Sequence, residues 1–381
     1  MRFQFFLIFS LACLLASSFI LNGQPQKGLP QIAAGIEPST VVVITYGKEG
    51  LPKKAGGFFI NSEGDVITNR HIFAGAVRAE VKSAGGKVYT VVRIEGDDPA
   101  GNIVCISTGI RPEGIKPLNV SGFLPVEGER VSVAGGLLPG KTFPEGIISA
   151  VRKIQGFGNV IQLAPPGFGG ANGWPVLNKK GEVIGMADSL PVEGKPADFV
   201  IPWERIKGLS LQEDISFAGW ISRKINVPSE EEFLAGIACV RTGNSRTALP
   251  HFEKAVAENP EYALTHFQIG YCNYRLGRYM KAVESFKRTI ILKPSSAEAY
   301  MGMGLAYSGL SMNKEEIEAF KKAVTLKPDY AEAYFHLGWA YLVKGERFSA
   351  LEVHKTLEKL DPELDKKLLE EFEKLIEHIN Y

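Results

Sequence analysis

The sequence predicts a multidomain chain, an all-β front half followed by an all-α solenoid, and three observations predict it. Glycine (41) and proline (22) concentrate before residue 230. Over that stretch short apolar runs alternate with glycine-rich turns, whereas the remainder is rich in Ala, Glu, Lys and Leu. From residue 229 onward the chain repeats itself every 34 residues. At 381 residues it fits two domains, each able to bury its own core. Hydrophobic content of 45%, charged content of 22% and a net charge of +1 are ordinary for a globular protein, and point to neither nucleic acid nor an anionic membrane surface as partner.

The N-terminus reads as a targeting segment, residues 1–24. Arg2 precedes an apolar run from Phe3 to Leu21, and a polar stretch, Asn22 to Lys27, follows. That pattern predicts export to the periplasm or exterior, with residues 3–21 either a cleaved signal or a membrane anchor. The four cysteines, Cys13, Cys105, Cys239 and Cys272, show no metal-ligand spacing and are expected as buried or targeting-segment thiols. Neither a metal nor an organic cofactor is signalled. The histidines are scattered, and the glycines at 167–170 lack the strand-to-helix context and lysine of a phosphate loop.

From Thr40 to Val227 the runs Val41–Ile44, Gly57–Ile60, Val66–Thr68, Val131–Val133 and Glu182–Ile184 are short strands at a spacing that predicts a sandwich or barrel. Particular motifs narrow this. Ala55-Gly56-Gly57-Phe58-Phe59-Ile60 leads through Asn61–Asp65 to Val66-Ile67-Thr68-Asn69-Arg70-His71. Val131 to Val151 ends in a Gly-Ile-Ile-Ser-Ala strand; Gly170-Ala171-Asn172-Gly173-Trp174-Pro175 follows, and then Asp198-Phe199-Val200-Ile201-Pro202. In this order the blocks resemble the HtrA/Deg-type trypsin-like serine proteases over residues 38–208. The resemblance implies a trypsin-like double β-barrel, two six-stranded barrels with a cleft between them, and a lining strand at Asp198–Pro202 to which an extended peptide could add.

The same resemblance implies a triad of histidine, aspartate and serine. His71 matches the histidine position, but Asn102 stands where the orienting carboxylate belongs, Asn172 where the nucleophile belongs, and Trp174 in place of a glycine. An amide has no activatable hydroxyl and cannot form an acyl-enzyme. Losing the carboxylate alone lowers turnover in an intact serine protease by roughly 10⁴-fold. The sequence therefore predicts a degenerate site with no intact catalytic residue. Rescue would need Asp97 or Asp98 as carboxylate and Ser189 as nucleophile. Residues 209–228 read as a linker whose Phe217, Ala218, Trp220 and Ile221 look helical and partly buried, a sign of docked domains.

In the second half Gly236, Gly270, Gly304 and Gly338 are 34 apart, as are Pro260, Pro294, Pro328 and Pro362. Phe252, Phe286 and Phe320 recur in step. This is the signature of tetratricopeptide repeats, paired antiparallel helices, four of them over 229–364 with a capping helix at 365–381. Glu316, Ser311 and His354 depart from the pattern, which wants Ala, Gly and Phe there. Repeats of this kind hold peptides in a concave groove. The groove positions here are Leu264, Phe267, Tyr271, Tyr274, Met301, Leu305, Phe335, Trp339 and Leu342, an apolar and aromatic set suited to a protein or peptide partner. The leading expectation is an exported non-catalytic scaffold, with an unconventional serine peptidase and a chaperone-like holder of unfolded exported chains as its rivals.

Overall fold

The computed structural model describes residues 32, 35–111, 118–135, 144–154, 158–165, 171–192, 195–209, 215–222 and 230–379. The expected targeting segment, residues 1–24, and the glycine-rich stretch 167–170 lie outside them. Fourteen strands form the first half among the described residues: β1 Thr40–Gly47, β2 Lys53–Phe59, β3 Asp65–Asn69, β4 Ala76–Ser83, β5 Val88–Thr90, β6 Arg93–Asp98, β7 Ile103–Ser107, β8 Arg130–Val133, β9 Glu145–Ile154, β10 Gly158–Ala164, β11 Pro175–Asn178, β12 Val183–Val192, β13 Lys195–Pro202 and β14 Ile215–Ser216.

They build two sheets. Strands β10-β13-β12-β11-β8-β9 close into the six-stranded barrel that the motifs imply. The other sheet departs from six strands. It has eight, in the order β14-β6-β7-β3-β2-β1-β4-β5, because the short β5 extends one end and β14 the other. β14 comes from the expected linker: Ile215 pairs with Ile94, and the helix α2, Phe217–Ser222, stacks Phe217 and Trp220 edge-on against Phe73. Ile215, Phe217 and Trp220 thus belong to the first sheet's core with Ile221 packed against it, whereas Ala218, expected to be partly buried, is exposed because it lies on the outer face of the short helix. The short helix α1, Trp203–Lys207, precedes them and caps the end of β13.

Nine helices follow among the described residues: α3 Glu230–Arg241, α4 Ser245–Glu258, α5 Ala263–Arg275, α6 Tyr279–Leu292, α7 Ala297–Gly309, α8 Asn313–Leu326, α9 Ala331–Lys344, α10 Arg347–Leu360 and α11 Pro362–Ile379. The 34-residue period has a direct packing cause. A side chain at Gly236, Gly270 or Gly304 would stand 2.6, 2.8 and 2.5 Å from Phe252, Phe286 and Phe320, so each glycine admits the aromatic ring sixteen residues on. Proline then falls where each second helix has ended.

The three departures from the period have physical reasons. Ser311 takes the left-handed conformation (φ 57°) that Gly243, Gly277 and Gly345 hold at the same repeat position. Glu316 is buried, and desolvation raises its pKa above the usual carboxylate value. His354 gives up the aromatic contact and bonds through Nδ1 to Asp365 of α11 at 2.8 Å, while Leu368 of α11 comes against Gly338. The fourth repeat is thereby completed by the capping helix. Cys105, Cys239 and Cys272 are buried; burial raises Cys105 and pushes Cys272 up to about 12.

The halves share a core. On the first repeat helix α3, Phe233, Ile237 and Val240 are buried in a cluster with Ile154, Val160, Leu190, Ala197 and Phe199 of the closed barrel, and Arg241 of the same helix is also buried. The solenoid is therefore packed against the barrel, and Lys153 of β9 reaches Glu332 of α9 at 2.7 Å.

Candidate functional site

His71 sits in the one-turn 3₁₀ helix Arg70–Phe73 at the end of β3, and Asn102 in the tight turn before β7, held at φ 56°. Backbone pairing between Asn69 and Ile103 brings the two turns together. The N–H of His71 donates to Asn102 Oδ1 at 2.9 Å, and Asn102 Nδ2 lies 2.9 Å from His71 Nδ1. The same Nδ2 donates to Asp188 Oδ1 at 2.9 Å. These partners fix which end of the amide is nitrogen, because turning it over would set Oδ1 against the Asp188 carboxylate and Nδ2 against the His71 N–H. His71 Nδ1 also lies 3.3 Å from Oδ1 of the same amide; the shorter contact, to Nδ2, is the one made when Nδ1 accepts and the ring proton sits on Nε2. An orienting aspartate would instead take the proton of Nδ1 and leave Nε2 bare for the nucleophile. Burial lowers the His71 pKa, against the opposing pull of Asp188, so the neutral ring is favoured.

Asp188 was not found from the sequence. It lies on β12, more than eighty residues from Asn102, and is 1% exposed. Besides Asn102 it accepts from Asn69 Nδ2 at 3.1 Å, and its other oxygen is bound by Arg241 Nη1 from α3. Arg241 Nη2 donates to the carbonyl of Gly101 at 3.2 Å, and the guanidinium lies 5.5 Å from the Phe199 ring centre. A buried carboxylate thus stands directly behind the asparagine, neutralised by an arginine from the first repeat. Buried charges persist only when paired in this way. A charged residue at the end of an otherwise apolar helix face was the only signal that Arg241 offered.

The expected substitute carboxylates are engaged elsewhere. Asp97 binds Arg70 at 2.7 Å and Trp220 Nε1 at 3.0 Å. Asp98 receives Arg205 at 2.6 and 3.1 Å and the N–H of Gly101; burial alone would raise its pKa, but Arg205 holds it below the ordinary value. Neither reaches His71. Asn172, at the nucleophile position, spans the backbone of Ser189: its Oδ1 accepts from Ser189 N at 2.5 Å and its Nδ2 donates to Ser189 O at 3.4 Å. Among the described residues no hydrogen bond joins Ser189 to His71. Trp174 is 3% exposed and lies across the two sheets, where its ring fits only because Gly56 and Gly135 have no side chain; a Cβ there would stand 2.4 and 1.9 Å from it.

Strand addition along the lining strand Asp198–Pro202 is blocked at Phe199 and Val200 by the pairing, while Asp198, Ile201 and Pro202 pair with β12 alone. Phe199 and Val200 of β13 bond to β10 on one side and β12 on the other, so no free edge remains at those residues.

Comparison with known proteins follows the same division. Residues 55–186 match the trypsin-like peptidase domain, and residues 233–297 and 297–330 match tetratricopeptide repeats. The chain is a trypsin-like peptidase domain followed by tetratricopeptide repeats. Two Synechocystis proteins named as serine proteases are similar to its first half: HhoA is 26% identical over 179 residues, 44% of each chain, and HhoB is 27% identical over 161 residues, 40% of this chain and 38% of that one. The chain thus spans less than half the length of these relatives. The active form of the Rv3671c protease from M. tuberculosis aligns at 21% identity and a TM-score of 0.41, over 49% of this chain and 85% of that one. A serine endoprotease from Yersinia pestis aligns at 21% and 0.40, over 47% and 64%.

In the repeats, the expected groove residues divide. Met301 (1% exposed), Tyr271 (4%), Phe267 (7%) and Leu305 (8%) are buried, because the helices of successive repeats close over them. Met301 is corrected from groove to core, packed among Ala297, Phe320 and Leu337, and Tyr271 joins the core shared with the barrel, its hydroxyl accepting from Arg275 at 3.0 Å. Leu264, Tyr274, Phe335, Trp339 and Leu342 remain half-exposed. All but Leu342 open onto two separate hollows. Tyr274, Tyr279, Leu305, Phe335 and Trp339 surround one of about 510 Å³ beside Lys367 of α11. Leu264 and Phe267 face a larger one, about 810 Å³, whose far wall is the barrel domain.

Proposed function

We propose that this protein is an exported, non-catalytic scaffold that binds protein or peptide partners through its tetratricopeptide groove. One observation carries the non-catalytic part: His71 Nδ1 faces the Asn102 amide at 2.9 Å in place of a carboxylate, and an amide cannot balance the imidazolium that a base must become. The tie between Asn172 and the Ser189 backbone supports the same reading, since it offers a carboxamide where a hydroxyl is needed. Partner binding rests on the repeats and on the half-exposed aromatic side chains they present. The apolar run at Phe3–Leu21 supports export.

Incubation of the purified protein with unfolded casein, beside His71→Ala, tests it. No cleavage by either protein is expected, and no labelling by a serine-directed phosphonate. Cleavage that disappears in His71→Ala would overturn the reading. The aromatic hollow at Tyr274, Tyr279, Phe335 and Trp339 also favours a second role as a holder of unfolded exported chains. That role requires suppression of aggregation of a model substrate, lost in Trp339→Ala.

A further inference from the structure

The larger hollow lies where the barrel and the repeats meet, a common place for ligand sites, and its 810 Å³ falls within their usual range of about 300–1,000 Å³. One wall is the barrel domain, with Pro99, Ala100, Asn159 and Glu204. The other is the repeats, with Leu264, Phe267, Lys293 and Glu298. Leu264, Glu298 and Glu332 are 34 residues apart and hold the same groove-facing position in three successive repeats. The barrel already shows what this row accepts: Lys153 of β9 binds Glu332 at 2.7 Å. Glu298, one repeat earlier, carries no ion pair among the described residues and bonds only to Ser296 Oγ at 3.5 Å. Glu204, across the hollow, likewise carries none. The other two carboxylates of the lining, Asp97 and Asp98, are held by Arg70 and Arg205, leaving two carboxylates against the single ammonium of Lys293.

We infer that this hollow clamps an extended peptide between the two domains, taking a lysine or arginine on Glu298 as Glu332 takes Lys153, with the neighbouring apolar side chain against Leu264 and Phe267. The inference rests on the proposed scaffold role and assigns it a site and a ligand chemistry. A charged rim beside an apolar floor fixes register and sign more than it adds affinity.

Fluorescein-labelled octapeptides of alternating leucine and lysine, leucine and glutamine, and leucine and glutamate would be titrated against the full chain by anisotropy. The leucine–lysine peptide is expected to bind at least tenfold more tightly than the leucine–glutamine one. Glu298→Gln should abolish most of that preference while leaving leucine–glutamine binding and the thermal midpoint unchanged, and Glu204→Gln on the barrel wall should reduce it in part. Equal binding of the glutamate peptide, indifference to Glu298→Gln, or absence of binding by any peptide would overturn the assignment. Loss of peptide binding in Trp339→Ala with none in Glu298→Gln would also overturn it, while leaving groove binding itself intact at the aromatic hollow.

Discussion

Replacing Asn102 by aspartate, the obvious first step toward reviving the triad, should fail because the carboxylate for that neighbourhood is already present at Asp188. Asn102 Nδ2 is 2.9 Å from Asp188 Oδ1, so Asn102→Asp turns a hydrogen bond into a contact between two buried carboxylates. With charge centres about 4 Å apart and an effective dielectric of about 20, the repulsion is about 4 kcal/mol. The lost hydrogen bond adds about 1 kcal/mol. Arg241 offsets part of this, and one carboxyl escapes the rest by holding its proton. A net loss of about 3 kcal/mol follows. Exchanging the groups, Asn102→Asp with Asp188→Asn, keeps one carboxylate and one amide in the pocket and should recover at least half of it. Denaturant unfolding at pH 7 of the native chain, both single variants and the exchange measures this directly. A single Asn102→Asp variant within about 0.5 kcal/mol of the native chain, the ordinary scatter of surface changes, would refute the reasoning. So would an exchange whose cost is the plain sum of the singles. Catalysis in an Asn172→Ser background should therefore be sought on the exchanged pair, where His71 Nδ1 can donate.

Other outcomes follow from the same contacts. Arg241→Ala strands the Asp188 carboxylate in a site 1% exposed and should cost about 3–5 kcal/mol; calorimetry should then resolve separate barrel and repeat transitions where the native chain gives one. His336, stacked on Phe320 and edge-on to Phe335, is pushed down to about 4 by burial, with Glu332 opposing and Lys367 assisting. Its neutral form is favoured in the fold, so its contribution is complete above about pH 6.5 and is lost as pH falls from there to about 4, a total of roughly 3 kcal/mol. His336→Gln should flatten the stability of the repeats across that window, and a profile as steep as the native one would refute the assignment. Gly304→Ala sets a methyl 2.5 Å from the Phe320 ring and should cost about 1–3 kcal/mol by overpacking, read as a lower thermal midpoint.

Both halves of the fold were legible because their constraints are local or periodic. A ring that needs a glycine sixteen residues earlier writes itself into the sequence three times over, as Gly236 with Phe252 and its two successors. The positions of His71, Asn102 and Asn172 could likewise be read, because each lies in a short motif whose strand and turn are adjacent in the chain. That Asn102 and Asn172 lack the groups for acyl transfer is chemistry that needs no coordinates.

What only the tertiary structure decided is where charge went. Asp188 and Arg241 belong to different domains and to no motif, and their meeting behind Asn102 depends on α3 packing against β12. The fate of the predicted groove was decided in the same way. A repeat pattern says which side chains face inward on each helix, but Met301 and Tyr271 are buried by neighbouring repeats and by the barrel, whereas Leu264 and Trp339 are not. Local sequence fixes the direction a side chain takes from its own helix. What meets it there is set by packing between segments far apart in the chain, through contacts that leave no spacing to read.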